Sequence, residues 1–153
     1  MTSLRGTLKG VSSMRTLVLI ALSAVLATSA EGVELKPLRD VAAEELSEAA
    51  LVFTMNRCAG AYMAAADTLR IDGGGQYEDT ITTLQASSEI YAQLALASGT
   101  AGEEALRSNI RQIAEMYFEE MKQSYFATGN RFEGTVRDDI SFCGDLLRQL
   151  GGT

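Results

Sequence analysis

The stretch LSEAALVFTMNRCAGAYMAAADTL, residues 46–69, decides how this chain folds. Between Ala49 and Ala66 it carries one charge, Arg57, and one amide, Asn56. A helix that is apolar around most of its girth must be surrounded by other elements, because a helix lying on a surface keeps one polar face. Leu51, Met55, Cys58, Tyr62, Ala65 and Leu69 step by 4, 3, 4, 3 and 4, which holds them on one stripe. Val52, Ala59 and Ala66 widen that stripe. Leu46, Phe53 and Gly60 fall on a different face, also apolar or small, which predicts a second contact surface covered by residues 37–45 or by a partner. The run IDGGGQ, residues 71–76, ends the helix, with Asp72 and Gly73 to Gly75 expected to supply the left-handed positions of a helix stop.

Three more helical patterns follow. Ile81, Leu84, Ser88, Tyr91 and Ala95 form a seam over residues 77–97, with Ile90 and Leu94 beside it. Leu106, Ile110, Ile113, Tyr117, Met121 and Ser124 form one over 101–128. Val136, Ile140, Cys143, Leu147 and Leu150 form one over 135–150. Thr100 with Glu103, and Thr135 with Asp138, match the pattern of a hydroxyl cap followed three residues later by a carboxylate. Glycine follows each pattern and no segment alternates at period two, so the fold class is all-α. Short connections favour antiparallel neighbours and predict an up-down-up-down four-helix bundle over residues 46–151.

In such a bundle the first and fourth helices are antiparallel neighbours, and Cys58 and Cys143 lie near their midpoints on the inward seams. Midpoints of antiparallel neighbours share a height, so the two sulfurs are expected to form a disulfide; two buried thiols are the alternative.

The N-terminus reads as an address. Arg5, Lys9 and Arg15 precede the apolar run Thr16 to Ala27, and small residues lead to Ala30, the layout of a cleaved signal peptide over residues 1–30. Met14-Arg15 would serve as an alternative start, and an uncleaved N-terminal anchor is the competing reading. The bacterial periplasm is the expected destination, with secretion as the alternative. Residues 31–45, which hold the only proline, Pro37, read as a linker and a lead-in turn or helix capped by Asp40.

Charge and composition narrow the function. The whole chain carries −7; residues 1–30 hold three basic and no acidic residues, so ten basic face twenty acidic residues after them, a balance of −10. Such a surface repels phosphate backbones and anionic headgroups, which disfavours nucleic-acid binding and polybasic membrane docking. The chain has no histidine, hence no imidazole base or metal ligand and no Ser-His or Cys-His pair. No cofactor or metal motif is present, and no catalytic constellation is recognisable. The acid pairs Glu44-Glu45, Glu103-Glu104, Glu119-Glu120 and Asp138-Asp139 point about 100° apart on a helix and read as helix-start charge or solvated faces.

What remains is binding. Arg57 is a candidate contact for an acidic group of a ligand or partner, with surface or inter-helix hydrogen bonding as the plainer role. If Arg57 contacts a partner, Arg57→Ala weakens binding without lowering thermal stability. Phe118 and Tyr125, with Phe126 and Phe132 following, are candidate aromatic anchors, and Phe53 is a third. The expected function is that of an exported, non-enzymatic interaction or accessory protein of the cell envelope with a protein partner. The alternative is a carrier holding a small apolar ligand between helices, among Met55, Met63, Tyr62, Tyr91 and Tyr117.

Overall fold

The computed structural model describes residues 35–44, 47–99 and 101–151. The expected signal peptide, the start of the linker, Leu46 and the Thr100 cap lie outside the described residues. Helix α1 spans Leu38–Glu44, α2 Glu48–Gly73, α3 Glu78–Ala97, α4 Glu103–Thr128 and α5 Gly134–Gln149, with a 3-10 turn, Gly74–Tyr77, between α2 and α3. The described residues are all-helical, and four long helices pack together.

Helix α2 is the axis. From Val52 to Ala66 only Phe53 and Met63 escape full burial, as expected of a helix apolar on every side. It packs against α1, α3, α4 and α5, most extensively against α3 and α4. A square bundle would set α4 diagonally across from α2. Here small residues bring the two into close contact. A Cβ at Gly60 would lie 2.5 Å from Ile113 Cγ2 and 3.1 Å from the backbone nitrogen of Ala114. Gly60 therefore belongs to the α2–α4 contact, and so accounts for part of the second apolar face of α2. Ala61, Ala64 and Ala65 continue the same small-sided surface under Ile113, Ala114 and Tyr117.

The lead-in segment is part of the packed body. Leu38 is fully buried and Leu35 nearly so, and α1 packs on both α2 and α5. Cys58 and Cys143 meet with Cα atoms 5.6 Å apart and sulfurs at disulfide distance, 2.05 Å. Nearby, Tyr91 of α3 donates a hydrogen bond to the carbonyl of Cys143 (2.6 Å), and Ser88 donates to the carbonyl of Ala59 (2.8 Å). These buried hydroxyls satisfy themselves on neighbouring backbones, as interior polar groups must.

Several local expectations are corrected. Leu51 and Leu150, placed on core seams, are half exposed, at 50% and 54%. Leu51 sits in the first turn of α2, and Leu150 follows the last turn of α5. Gly73 takes φ −115°, so no left-handed stop occurs there; its missing Cβ instead leaves room for the Tyr77 ring. The cap of α4 falls on Gly102 and that of α5 on Glu133, neither with a side-chain hydrogen bond. Glu103 accepts instead from Arg107, and Thr135 is already inside α5. Asp40 lies within the first turn of α1, where its amide donates to the carbonyl of Pro37. The side-chain cap that does form is Ser47, whose hydroxyl accepts from the amide of Ala50 (3.1 Å) at the start of α2.

Candidate functional site

The chemistry-bearing residues divide into a buried cluster and an exposed rim. The cluster centres on Arg57, which is only 4% exposed. Its Nη2 donates to Asp139 Oδ2, and Nε and Nη2 both donate to the hydroxyl of Tyr117 (3.1 and 2.9 Å). Its Nη1 donates to the carbonyl of Lys36 (2.7 Å). Tyr117 in turn donates its hydroxyl proton to Asp139 Oδ2. The other carboxylate oxygen, Oδ1, accepts from the backbone amide of Leu38 (2.6 Å). One guanidinium, one phenol and one carboxylate thus tie together the lead-in segment, α2, α4 and α5.

The electrostatics follow from burial. Removing Arg57 and Asp139 from water is costly, and only near-complete pairing offsets it. Here Asp139 accepts three hydrogen bonds, and the two ring faces of Phe53 and Tyr117 lie 5.9 and 5.6 Å from the guanidinium carbon. Burial, reinforced by the negative charge of Asp139, pushes the Tyr117 hydroxyl far above its ordinary value. Burial also raises Tyr91 and, more modestly, Tyr62. These phenols remain neutral donors across the physiological range.

Arg57, read as a contact for an outside acidic group, has its acidic group inside the same chain. Asp139, read as half of a solvated acid pair, is fully buried, while its neighbour Asp138 is exposed. The signal was present: Val136, Asp139 and Cys143 step by 3 and 4 and share a stripe. Phe53 stands over Arg57 and is 44% exposed. Asn56 is as buried as Arg57, and its Oδ1 accepts no hydrogen bond from the described residues.

Phe118 and Tyr125 are on the exposed rim. Phe118 lines an open groove of about 760 Å³ between α2 and α4, together with Met63, Ile71 and Ala114 and with charges that include Arg111 and Glu115. Tyr125 stacks edge-on with Phe126 (6.3 Å) and lies under the guanidinium of Arg131 (4.6 Å). Arg131 also pairs with Asp72. Among the described residues, Phe126, 78% exposed, and Ile71, 68% exposed, are the most exposed large apolar side chains; Phe126 belongs to the expected aromatic group, whereas Ile71 was not among the candidate contacts. The structure does not bring Phe53 together with this group: Phe53 is near the start of α2, whereas Phe118 and Tyr125 lie along the second half of α4.

Of the three tyrosines and two methionines expected to line a cavity, all but Met63 are packed in the core. Tyr91 and Tyr117 are fully buried, Tyr62 stacks on Tyr91 at 6.0 Å, and Met55 is in the core. Only Met63 opens onto grooves. Among the described residues, no group of three Cys, Asp or Glu side chains is placed to hold a metal, and no helix is long and apolar enough to cross a membrane. Comparison with family models, with curated proteins and with solved structures finds no match for this chain.

Proposed function

We propose that this chain is an exported, non-enzymatic helical bundle that acts by binding another protein, as an interaction or accessory component of the cell envelope. The observation that carries the reading is the exposed apolar rim: Phe118 and Ile71 on the α2–α4 groove, with Tyr125 and Phe126 further along α4. Aromatic side chains held in water are the usual anchors of a protein interface. The buried charges support the same reading, since the hydrogen bonds of Arg57, Asp139 and Tyr117 are all made within the fold. Export rests on the basic and apolar pattern of residues 1–30 and on a cysteine pair placed to cross-link in an oxidising compartment.

The bundle is read as up-down-up-down. Gly60 against Ile113 and Thr68 against Met121 advance together, so α4 runs with α2. Cys58 meets Cys143, while Leu69 shares a groove with Phe132, so α5 runs against α2. The short 3-10 turn reverses the chain into α3.

The test is photo-crosslinking in the native envelope, with the reactive group placed at position 118. A discrete adduct to a different protein that disappears in Phe126→Asp, at unchanged thermal stability, supports the reading. No adduct, one only to a second copy of this chain, or one indifferent to Phe126→Asp overturns it. The second reading, a carrier for a small apolar ligand, would seat that ligand in the groove beside Met63 and Phe118 rather than among the packed tyrosines. It predicts an extractable small molecule in the natively purified protein.

A further inference from the structure

The outward face of α4 carries six charges in an ordered arrangement. Glu104, Arg107, Arg111, Glu115, Glu119 and Lys122 follow one another at spacings of 3, 4, 4, 4 and 3. The pattern is symmetric in position about residue 113 and antisymmetric in sign. Glu104 mirrors Lys122, Arg107 mirrors Glu119, and Arg111 mirrors Glu115. All six are exposed, whereas Ile113 itself is buried against α2. At 100° per residue, the six lie within about 60° of the direction opposite Ile113, so they form one exposed stripe, of which Arg111, Glu115 and Glu119 also border the groove between α2 and α4.

We propose that two copies of this chain associate through this stripe, with their α4 helices antiparallel about a two-fold axis at the level of Ile113. Such an axis sets position 113 − n of one copy opposite 113 + n of the other, a self-complementary contact of the kind a dimer requires. Arg111 then faces Glu115, and Glu104 faces Lys122, while Arg107 and Glu119 lie on the flanks of the contact. A parallel pairing in register would oppose like charges instead. The apolar content agrees. Phe118, 36% exposed, has Ser108 as its mirror position, so each ring is received beside a small side chain of the other copy.

Within one copy the stripe is incompletely paired. Arg107 pairs with Glu103 and Lys122 with Glu119, both as exposed pairs that exchange partners at little cost. Arg111 and Glu115 are four apart in the less favourable order, cation first, and form no ion pair with each other. These two sit nearest the axis, where the other copy supplies the missing partner twice over. The inference does not rest on the protein-partner reading above: its occupant is the chain itself, and it uses Phe118 and the edge of the same α2–α4 groove.

Sedimentation of the full chain, with helicity checked by circular dichroism, tests this. The wild type is expected to dimerise at about 20 mM salt and to dissociate toward monomer at about 1 M, where charges are screened within a few ångströms. Arg111→Glu and Glu115→Arg should each weaken the dimer by about tenfold, since each sets like charges across the axis twice. The double exchange Arg111→Glu/Glu115→Arg should restore it, and so should mixing the two single variants. A wild type that stays monomeric at low salt overturns the proposal. So does a dimer indifferent to Arg111→Glu, or a double exchange as weak as the single changes.

Discussion

Arg57 holds its place because every donor it offers is answered: Asp139 and Tyr117 by side chains, and the lead-in segment by the Lys36 carbonyl. A buried pair of this kind gives register more than net stability, but breaking it leaves an uncompensated charge. Arg57→Met should therefore lower the unfolding free energy by about 3–5 kcal/mol in urea titrations. The double change Arg57→Met/Asp139→Leu should cost less than the sum of the two single changes; strict additivity would mean the two groups do not interact. Tyr117 adds an alkaline limit. Its hydroxyl titrates higher in the folded chain than in the unfolded one, where the ordinary value is 10.0. Its contribution is thus complete below about pH 10 and declines as pH rises beyond it, because the unfolded chain releases its proton first. Tyr117→Phe should reduce the loss of stability measured between about pH 9 and 11, leaving the shares of Tyr91 and Tyr62. A single arginine in an all-apolar helix is legible as a charge needing a partner. Which acid answers it was not, since Asp139 is 82 residues away and only the packing register brings it there.

At the scale of elements, periodicity located the four long helices to within a few residues and set both cysteines on inward stripes. It fared worse at helix ends. The capping pattern at Thr135 rests on residue type and spacing, and the chain enters the helix earlier. Gly134, at φ +56°, opens α5 one residue before Thr135. Ser47 caps α2 without the carboxylate three positions on that makes such a cap conspicuous; Ser47→Ala should cost about 1 kcal/mol. Helix–helix distance was equally hidden, because Gly60 is small for a reason only its neighbour supplies. Adding a methyl there presses on Ile113 and on the α4 backbone, so Gly60→Ala should destabilise by about 1–3 kcal/mol through overpacking. A stability equal to or above wild type would mean that α2 and α4 are not in such close contact.

For the whole molecule, the disulfide and the ion pair join α2 and α5 on adjoining turns, Arg57 beside Cys58 and Asp139 one turn from Cys143. A bond closing a sequence separation of 85 residues restricts the unfolded chain strongly. Replacing both cysteines by serine should cost about 4–5 kcal/mol on the chain-entropy account, and the unreduced protein should weigh two hydrogens less than its thiol form. On the proposed reading interior and surface divide the work: the core charges tie the helices together, and the aromatic rim would meet the partner. Partner capture beside thermal unfolding, for Phe126→Asp and Arg57→Met in parallel, tests that division most directly. The predicted result is that Phe126→Asp loses the partner at an unchanged midpoint, while Arg57→Met keeps it at a lowered one. Capture retained by Phe126→Asp and lost in folded Arg57→Met would contradict it.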